Sequence, residues 1–207
     1  MVVLLVAAGL VAVADWWAVA TDRRAVEYVC KPLTLVLLIG VAVVFHPEVG
    51  ARRDWFVAGL VLSLAGDIFL MLPRDLFVPG LASFLAGHVC YIVGLTRDGP
   101  SVGRIAVAAI VVAAIGVLPA SRILPAVRRH DLKMVGPVTA YMVVISAMVA
   151  TAAATGIVLA ALGAALFYVS DASIAWDRFV TRWSWARTWI MVTYHLGQAG
   201  LVLSLTR

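Results

Sequence analysis

Charged residues are scarce in this chain. Asp, Glu, Lys and Arg make up 13% of its 207 residues, about half the share usual in soluble domains, whereas 64% of the residues are hydrophobic. A soluble fold of this length has too small an interior for so many apolar side chains, so we predict an integral membrane protein. The net charge of +5 is then better explained by basic loops beside anionic lipid than by a nucleic-acid partner.

Cysteine is scarce too. Cys30 and Cys90 are the two cysteines, and they form no Cys-x-x-Cys motif. This pattern excludes a disulfide framework, so we expect both to be reduced residues that fill space between helices.

Polar segments long enough for a soluble domain are also missing. A membrane-spanning helix needs about 20 predominantly apolar residues, and eight stretches approach that length. We therefore predict an all-α membrane protein with eight transmembrane helices in one domain, residues 1–207, and a longest loop over Ala120–Lys133. Arg23 and Arg24 follow the first stretch and no basic residue precedes it, which favours a retained helix over a cleaved signal peptide. The predicted spans are Val2–Ala20, Pro32–Phe45, Trp55–Leu72, Phe77–Thr96, Gly103–Pro119, Met134–Ala154, Ile157–Trp176 and Thr188–Leu205.

Basic residues are distributed unevenly between the two sides of this predicted bundle. Eleven of the 16 Lys and Arg residues fall in odd-numbered loops, and five, including Arg207, fall in even-numbered loops or at the C-terminus. Short cytoplasmic loops carry an excess of Lys and Arg, so the bias predicts cytoplasmic odd loops and two external termini. The expected location is the inner membrane of a bacterium.

Several polar residues lie inside the apolar spans at a similar depth. Asp67 and Asp171 each precede the cytoplasmic end of their span by five residues, and Lys31, Tyr141 and His195 lie near the same level. At 1.5 Å of rise per residue these groups fall within roughly 10 Å in depth. A charged residue at such a position costs about 2.5–3.5 kcal/mol on insertion scales and is by default a functional site. We predict a cavity open to the cytoplasmic leaflet and lined by two carboxylates, an imidazole and a phenol.

The two halves of the chain share a weak periodicity. Asp67 and Asp171 are 104 residues apart, and Pro32 and Pro137 are 105 apart. An offset near half the chain length predicts a four-plus-four internal repeat, with one aspartate on the third helix of each half.

Three segments resemble the lysoplasmalogenase family, also called YhhN-like membrane proteins. They are GDIFLMLPRDLFVPGLASFLAGHVCYI, LFYVSDASIAWDRF and TYHLGQAGLVL. The resemblance implies a multi-pass membrane hydrolase with no organic cofactor. Its implied substrate is lysoplasmalogen, a lysophospholipid whose vinyl ether bond is cleaved to a fatty aldehyde and glycerophosphoethanolamine or glycerophosphocholine.

The resemblance and the shared depth together suggest a set of site residues. The predicted catalytic residues are Asp67, His88, Tyr91 and Asp171. The predicted substrate-binding residues are Lys31, Tyr141, Ser170, Arg178, Tyr194, His195 and Gln198.

The chemistry of a vinyl ether suits two carboxylates. Hydrolysis begins with proton transfer to the β-carbon and passes through an oxocarbenium ion that water captures. Glycoside hydrolysis also passes through such an ion and uses one carboxyl group as acid and a second as a stabilising anion. The sequence does not distinguish which of Asp67 and Asp171 is the acid. Lys31 and Arg178 are the candidates for binding the substrate phosphate.

Two other functions compete with this prediction. Buried Asp and His residues also mark proton relays, so a lipid or solute transporter is the alternative. A zinc hydrolase needs about three ligands, and only His88 and His195 lie at depth, since His46 is at a helix end and His130 is in a predicted loop. No His-x-x-x-His spacing occurs, so we predict a site without metal.

Overall fold

The computed structural model describes residues 1–45 and 50–206, and these ranges contain eight α-helices and no strand. His46 and Arg207, which entered the metal and charge arguments, lie outside the described residues. The helices are α1 (Val2–Ala20), α2 (Arg24–Val44), α3 (Gly50–Met71), α4 (Phe77–Thr96), α5 (Val102–His130), α6 (Val135–Thr155), α7 (Val158–Phe179) and α8 (Ala186–Leu203).

Helices α1 to α7 are long and apolar enough to cross a membrane. Because seven such helices follow one another, the chain is a multi-pass membrane protein. Helix α8 is shorter, with 18 residues, and packs along α7 while also contacting α1 and α2. Its buried face carries Tyr194, His195 and Gln198, which lower its hydropathy. That α8 also crosses the membrane stays a prediction.

Helix α5 differs from the sequence expectation. It continues through Pro119 and Pro125 to His130, so the predicted loop over Ala120–Lys133 was wrong. Proline is tolerated in membrane helices because neighbouring groups satisfy the freed backbone. The basic residues that suggested a loop form the last helical turn, where cations interact favourably with the helix dipole.

Helix α2 begins at Arg24, a full two turns before the predicted start at Pro32. Lys31 therefore lies inside the helix and not at its start. Glu27 and Lys31 are one turn apart and both are buried. This segment is polar because one face of the helix is buried in the bundle and carries charged residues. A search for long apolar runs assigns such a segment to a loop.

Small residues allow two helix pairs to approach closely. On α7, a Cβ added at Gly163 would lie 2.7 Å from the backbone nitrogen of Leu201 and 2.8 Å from the carbonyl oxygen of Gly197 on α8. On α3, a Cβ added at Gly66 would lie 2.6 Å from the ring of Phe84 on α4. Such small-residue contacts are the usual means of helix association in membranes. They fix α7 against α8 and α3 against α4.

Helix α5 is attached less closely. Its buried residues, Ile123, Ala126 and Val127, all lie in its last third. A cavity of about 420 Å³ lies between its middle part and helices α6 and α7. Most of α5 therefore faces the surroundings of the bundle and not its core.

Candidate active site

Asp171, Tyr141 and His88 form one hydrogen-bonded group, here called the Asp171 cluster. The Tyr141 hydroxyl donates a hydrogen bond to Oδ2 of Asp171. His88 Nε2 lies 2.9 Å from the Tyr141 hydroxyl and 3.2 Å from the same carboxylate oxygen. The other oxygen, Oδ1, has no hydrogen-bond partner within residues 1–45 and 50–206. The phenol and the imidazole therefore fix the orientation of this carboxyl group through one of its two oxygens.

Asp67 lies in a second group, here called the Asp67 cluster. Lys31 Nζ is 3.1 Å from Asp67 Oδ1, and the Tyr194 hydroxyl donates to Oδ2 at 2.7 Å. The Gln198 amide donates through Nε2 to the Tyr194 oxygen at 3.4 Å, and its Oε1 accepts from the Tyr91 hydroxyl at 2.7 Å. The side chains of Lys31 and Asp67 are only 7% and 2% exposed, so this is a buried ion pair.

Aromatic rings lie between the two clusters. The Phe167 ring is 4.7 Å from the His88 ring and 5.2 Å from the Tyr194 ring, centroid to centroid. Phe84 packs edge-on against both Phe167 and Tyr194. The two aspartates therefore do not share one open cavity as the sequence suggested, and each has its own set of partners.

An apolar pocket reaches the Asp171 cluster. Its cavity volume is about 50 Å³, enough for a few water molecules and far too small for a lipid chain. Asp67 is not among its lining residues. The lining includes Leu70, Phe77, Leu81, Phe84, Ile123, Tyr141, Met142, Ile145, Asp171 and Phe179.

Two further predicted residues lie away from this pocket. The Ser170 hydroxyl donates to the carbonyl oxygen of Ile190 at 3.1 Å and so links α7 to α8. Nδ1 of His195 accepts from Trp16 Nε1 at 3.1 Å, which places the His195 proton on Nε2. Tyr91 on α4 also lies away from the pocket, since it packs against Phe56 of α3 and donates to Gln198 of α8.

Arg178 lies in the last turn of α7, beside the turn between α3 and α4. It donates to both carboxylate oxygens of Asp75, at 2.9 and 3.3 Å. The Arg178 guanidinium holds the pKa of the exposed Asp75 carboxyl below its usual value. At the pH values of most assays Asp75 is therefore ionised and paired.

Sequence reasoning missed two buried carboxylates, those of Asp15 and Glu27, of which Glu27 is paired with Arg187 at 2.7 Å. Asp15 on α1 is fully buried, and neither of its oxygens has a hydrogen-bond partner in the described part of the chain. The signal was available, because Asp15 is an acidic residue inside the first predicted span. Phe84 and Phe167, which separate the clusters, carried no signal beyond their hydrophobicity.

The grouping of possible metal ligands can be stated for the described residues only. Over the described ranges, no three His, Cys, Asp or Glu side chains are grouped so that they could hold a metal ion. His88 belongs to the Asp171 cluster, whereas His195 is bonded to Trp16 and belongs to neither cluster.

The chain is similar in sequence to a known family and to several known proteins. The profile of the YhhN family matches residues 26–205. The lysoplasmalogenases of Mycobacterium bovis and Mycobacterium tuberculosis are 36% identical to the chain over 178 residues, covering 77% of the chain and 66% of each relative. The lysoplasmalogenase TMEM86B of Homo sapiens is 33% identical over 178 residues, covering 86% of the chain and 74% of that protein. No solved structure matches the chain.

The chain thus spans slightly under two thirds of the length of the mycobacterial relatives it matches. The family match extends over α2 to α8 and includes every residue of both clusters. As its three motifs predicted, this membrane bundle belongs to the YhhN family.

Proposed function

We propose that this protein is a membrane hydrolase that cleaves the vinyl ether bond of lysoplasmalogen. The products are a fatty aldehyde and glycerophosphoethanolamine or glycerophosphocholine. The observation that carries the proposal is the Asp171 carboxyl group at the wall of an apolar pocket, with one oxygen that has no partner among the described residues. The names of the relatives, all lysoplasmalogenases, support it.

Asp171 is the acid in this proposal. Its proton is transferred to the β-carbon of the vinyl ether, and the oxocarbenium ion forms beside the resulting carboxylate. The carboxylate then takes a proton from water as the water oxygen bonds to the α-carbon, giving a hemiacetal. When the hemiacetal C–O bond breaks, Asp171 protonates the glycerol oxygen and recovers a proton from the hemiacetal hydroxyl. The cycle consumes one water and leaves Asp171 protonated.

Tyr141 and His88 orient the carboxyl group. Both contact Oδ2 of Asp171, which leaves Oδ1 for the reacting carbon and the water. Donors fixed in a site of low dielectric need no reorganisation during the reaction, which makes their contribution large.

The Asp67 cluster supports the reaction from behind the aromatic rings. Asp67 is the second anion of the proposal, and its charge is held by Lys31. Tyr194, bonded to Asp67, contacts Phe167, which in turn packs on His88. We assign Lys31 to this pair and not to the substrate phosphate, and Tyr91 and Gln198 to the orientation of Tyr194. Ser170 and His195 act by fixing α8.

The partners of the two aspartates also support the four-plus-four repeat. Asp67 on α3 is bound by residues of α2 and α8, and Asp171 on α7 is bound by residues of α6 and α4. A shift of four helices converts one set of helices into the other. We propose that the protein resides in an inner membrane with the pocket toward the cytoplasmic leaflet, because the basic side of the chain lies there.

The test is aldehyde release by the purified full chain. We expect alkenyl lysophosphatidylethanolamine to yield free aldehyde by mass spectrometry, with no loss of activity in EDTA. Asp171→Asn keeps the shape of the side chain but cannot donate a proton, so its rate should fall by at least about 100-fold. Asp54→Asn, a change at an exposed aspartate of α3, is the matched control and should leave the rate unchanged.

Two results would contradict the proposal. If Asp171→Asn keeps more than about a tenth of the rate, Asp171 is not the acid. If the wild type releases no aldehyde but moves a solute across proteoliposomes, the transporter alternative replaces the hydrolase.

A further inference from the structure

A second pocket lies at the end of the bundle where α3, α5 and α7 terminate. Here called the mouth pocket, it has a cavity volume of about 290 Å³. Its charged and titratable lining residues are of both signs, Asp75 and Asp131 facing Arg178 and His130. A mixed set of this kind suits a ligand that carries both a negative and a positive charge.

The mouth pocket continues into the apolar pocket through two aromatic side chains. Phe77 and Phe179 line both pockets, and their ring centroids are 5.9 Å apart in an edge-to-face arrangement. The guanidinium carbon of Arg178 lies 4.1 Å from the Phe77 ring centroid and 5.7 Å from that of Phe179. The ion pair with Asp75 thus holds Arg178 over the two rings that separate the pockets.

The spacing along α7 fits a glycerophospholipid. Arg178 follows Asp171 by seven residues, which at 1.5 Å per residue corresponds to roughly 10 Å along the helix axis. In a lysoplasmalogen, seven bonds separate the phosphorus atom from the β-carbon of the vinyl ether. An extended chain advances by roughly 1.2 Å per bond, so the two atoms are roughly 8 Å apart. A phosphate at Arg178 therefore places the vinyl ether beside Asp171.

We propose that the mouth pocket binds the zwitterionic headgroup of the substrate, with its phosphate on Arg178 and its ammonium group near Asp75 and Asp131. This proposal rests on the hydrolase function proposed above. Arginine binds phosphate through strong charge-assisted hydrogen bonds, and Arg178 now directs its Nη2 at both oxygens of the Asp75 carboxylate. Because the pair with Asp75 is exposed, it contributes little to stability, and a phosphate can replace the carboxylate. Arg178 then leaves the rings of Phe77 and Phe179, and the two pockets become continuous.

The experiment compares two substrates with two variants of the full chain. Arg178→Gln removes the proposed phosphate ligand, and Arg182→Gln, at an exposed residue of the following loop, is the matched control. On alkenyl lysophosphatidylethanolamine we expect Arg178→Gln to lower kcat/KM by about ten- to a hundredfold, the range for a lost charge-assisted hydrogen bond. On 1-alkenylglycerol, which has no phosphate, the same variant should equal or exceed the wild type. An equal loss on both substrates, or no loss on the first, overturns the proposal.

The ammonium group has its own test. Asp131→Asn keeps the side-chain bond to the backbone of Lys133 but removes the charge. We expect this variant to lower the ratio of kcat/KM for alkenyl lysophosphatidylethanolamine to kcat/KM for alkenyl lysophosphatidic acid, which lacks the ammonium group. An unchanged preference refutes the assignment of Asp131.

A binding measurement tests the headgroup site independently of the proposed hydrolase function. The 1-alkyl ether analogue of lysophosphatidylethanolamine has no vinyl ether and is not cleaved. Calorimetric titration should show at least tenfold weaker binding of this lipid to Arg178→Gln than to the wild type or Arg182→Gln. If the wild type hydrolyses no alkenyl lipid, the hydrolase proposal fails while this result still judges the headgroup site. Equal affinity of all three proteins overturns the site.

Discussion

The buried pair of Lys31 and Asp67 makes the stability of the two aspartate variants unequal. Its atoms are 3.1 Å apart and its side chains are 7% and 2% exposed. At an effective dielectric constant of about 20, the attraction at this distance is about 5 kcal/mol. Breaking a buried pair by removing one partner typically costs about 3–5 kcal/mol, because the other charge stays buried without compensation. We therefore expect Asp67→Asn to lower the free energy of unfolding by about 3–5 kcal/mol relative to the wild type.

The double variant Lys31→Met/Asp67→Asn isolates the cause of this loss. Replacing both charges with neutral groups of similar volume is often neutral or stabilising. We expect the double variant to regain most of the stability lost in Asp67→Asn. Asp171→Asn is the comparison, since the contacts of Asp171 are a phenol and an imidazole and the change leaves no lysine or arginine unpaired in the described cluster. Its stability should stay near that of the wild type.

The assay is reversible unfolding of the purified protein in mixed micelles, followed by tryptophan fluorescence as the denaturing detergent increases. An Asp67→Asn variant as stable as the wild type would refute the energetic argument. Activity of the double variant then defines the role of Asp67. If aldehyde release returns with stability, the pair is structural; if it does not, the charge of Asp67 is required by the reaction, as proposed.

Two further predictions concern the α7–α8 contact and the Asp171 cluster. Gly163→Ala places a methyl group against the backbone of α8, so we expect a loss of about 1–3 kcal/mol in the same unfolding assay; Gly9→Ala, at an open position of α1, should have no comparable effect. Tyr141→Phe removes a hydrogen bond to the Asp171 carboxyl group, so kcat should fall by about ten- to a hundredfold at nearly constant stability. A rate within twofold of the wild type would exclude the orienting role.

Much of the fold could be predicted because an apolar run bounded by polar residues defines a membrane helix. The predicted bounds Val2–Ala20 and Phe77–Thr96 are those of α1 and α4. The start of α2 and the end of α5 could not be found in this way. In α2 the charged residues lie on a face that is buried in the bundle, and in α5 they lie in the last turn. Hydropathy alone does not distinguish either case from a loop.

The site was less predictable than the helices. The depth of Asp67, Tyr141 and Asp171 follows from counting residues, since each adds 1.5 Å along the axis. The direction of each side chain around its helix depends on how the helices pack, which the sequence does not reveal. For this reason the sequence grouped both aspartates in one cavity, whereas the structure places Phe84 and Phe167 between their clusters. The Lys31–Asp67 pair was missed for the same reason.

The loose attachment of α5 has a consequence for how a lipid reaches Asp171. A cavity of about 50 Å³ has to widen before an alkenyl chain fits. Helices α7 and α8 cannot separate without losing backbone contact at Gly163, whereas α5 contributes Ile123 to the pocket wall and is buried only in its last third. We therefore expect widening to move the last third of α5, which carries Ile123, together with the exposed remainder of the helix, which faces the bilayer. In the proposed hydrolase, the order and thickness of the surrounding bilayer then set the work needed to admit substrate, and we expect the rate of turnover to depend on the membrane as well as on the protein.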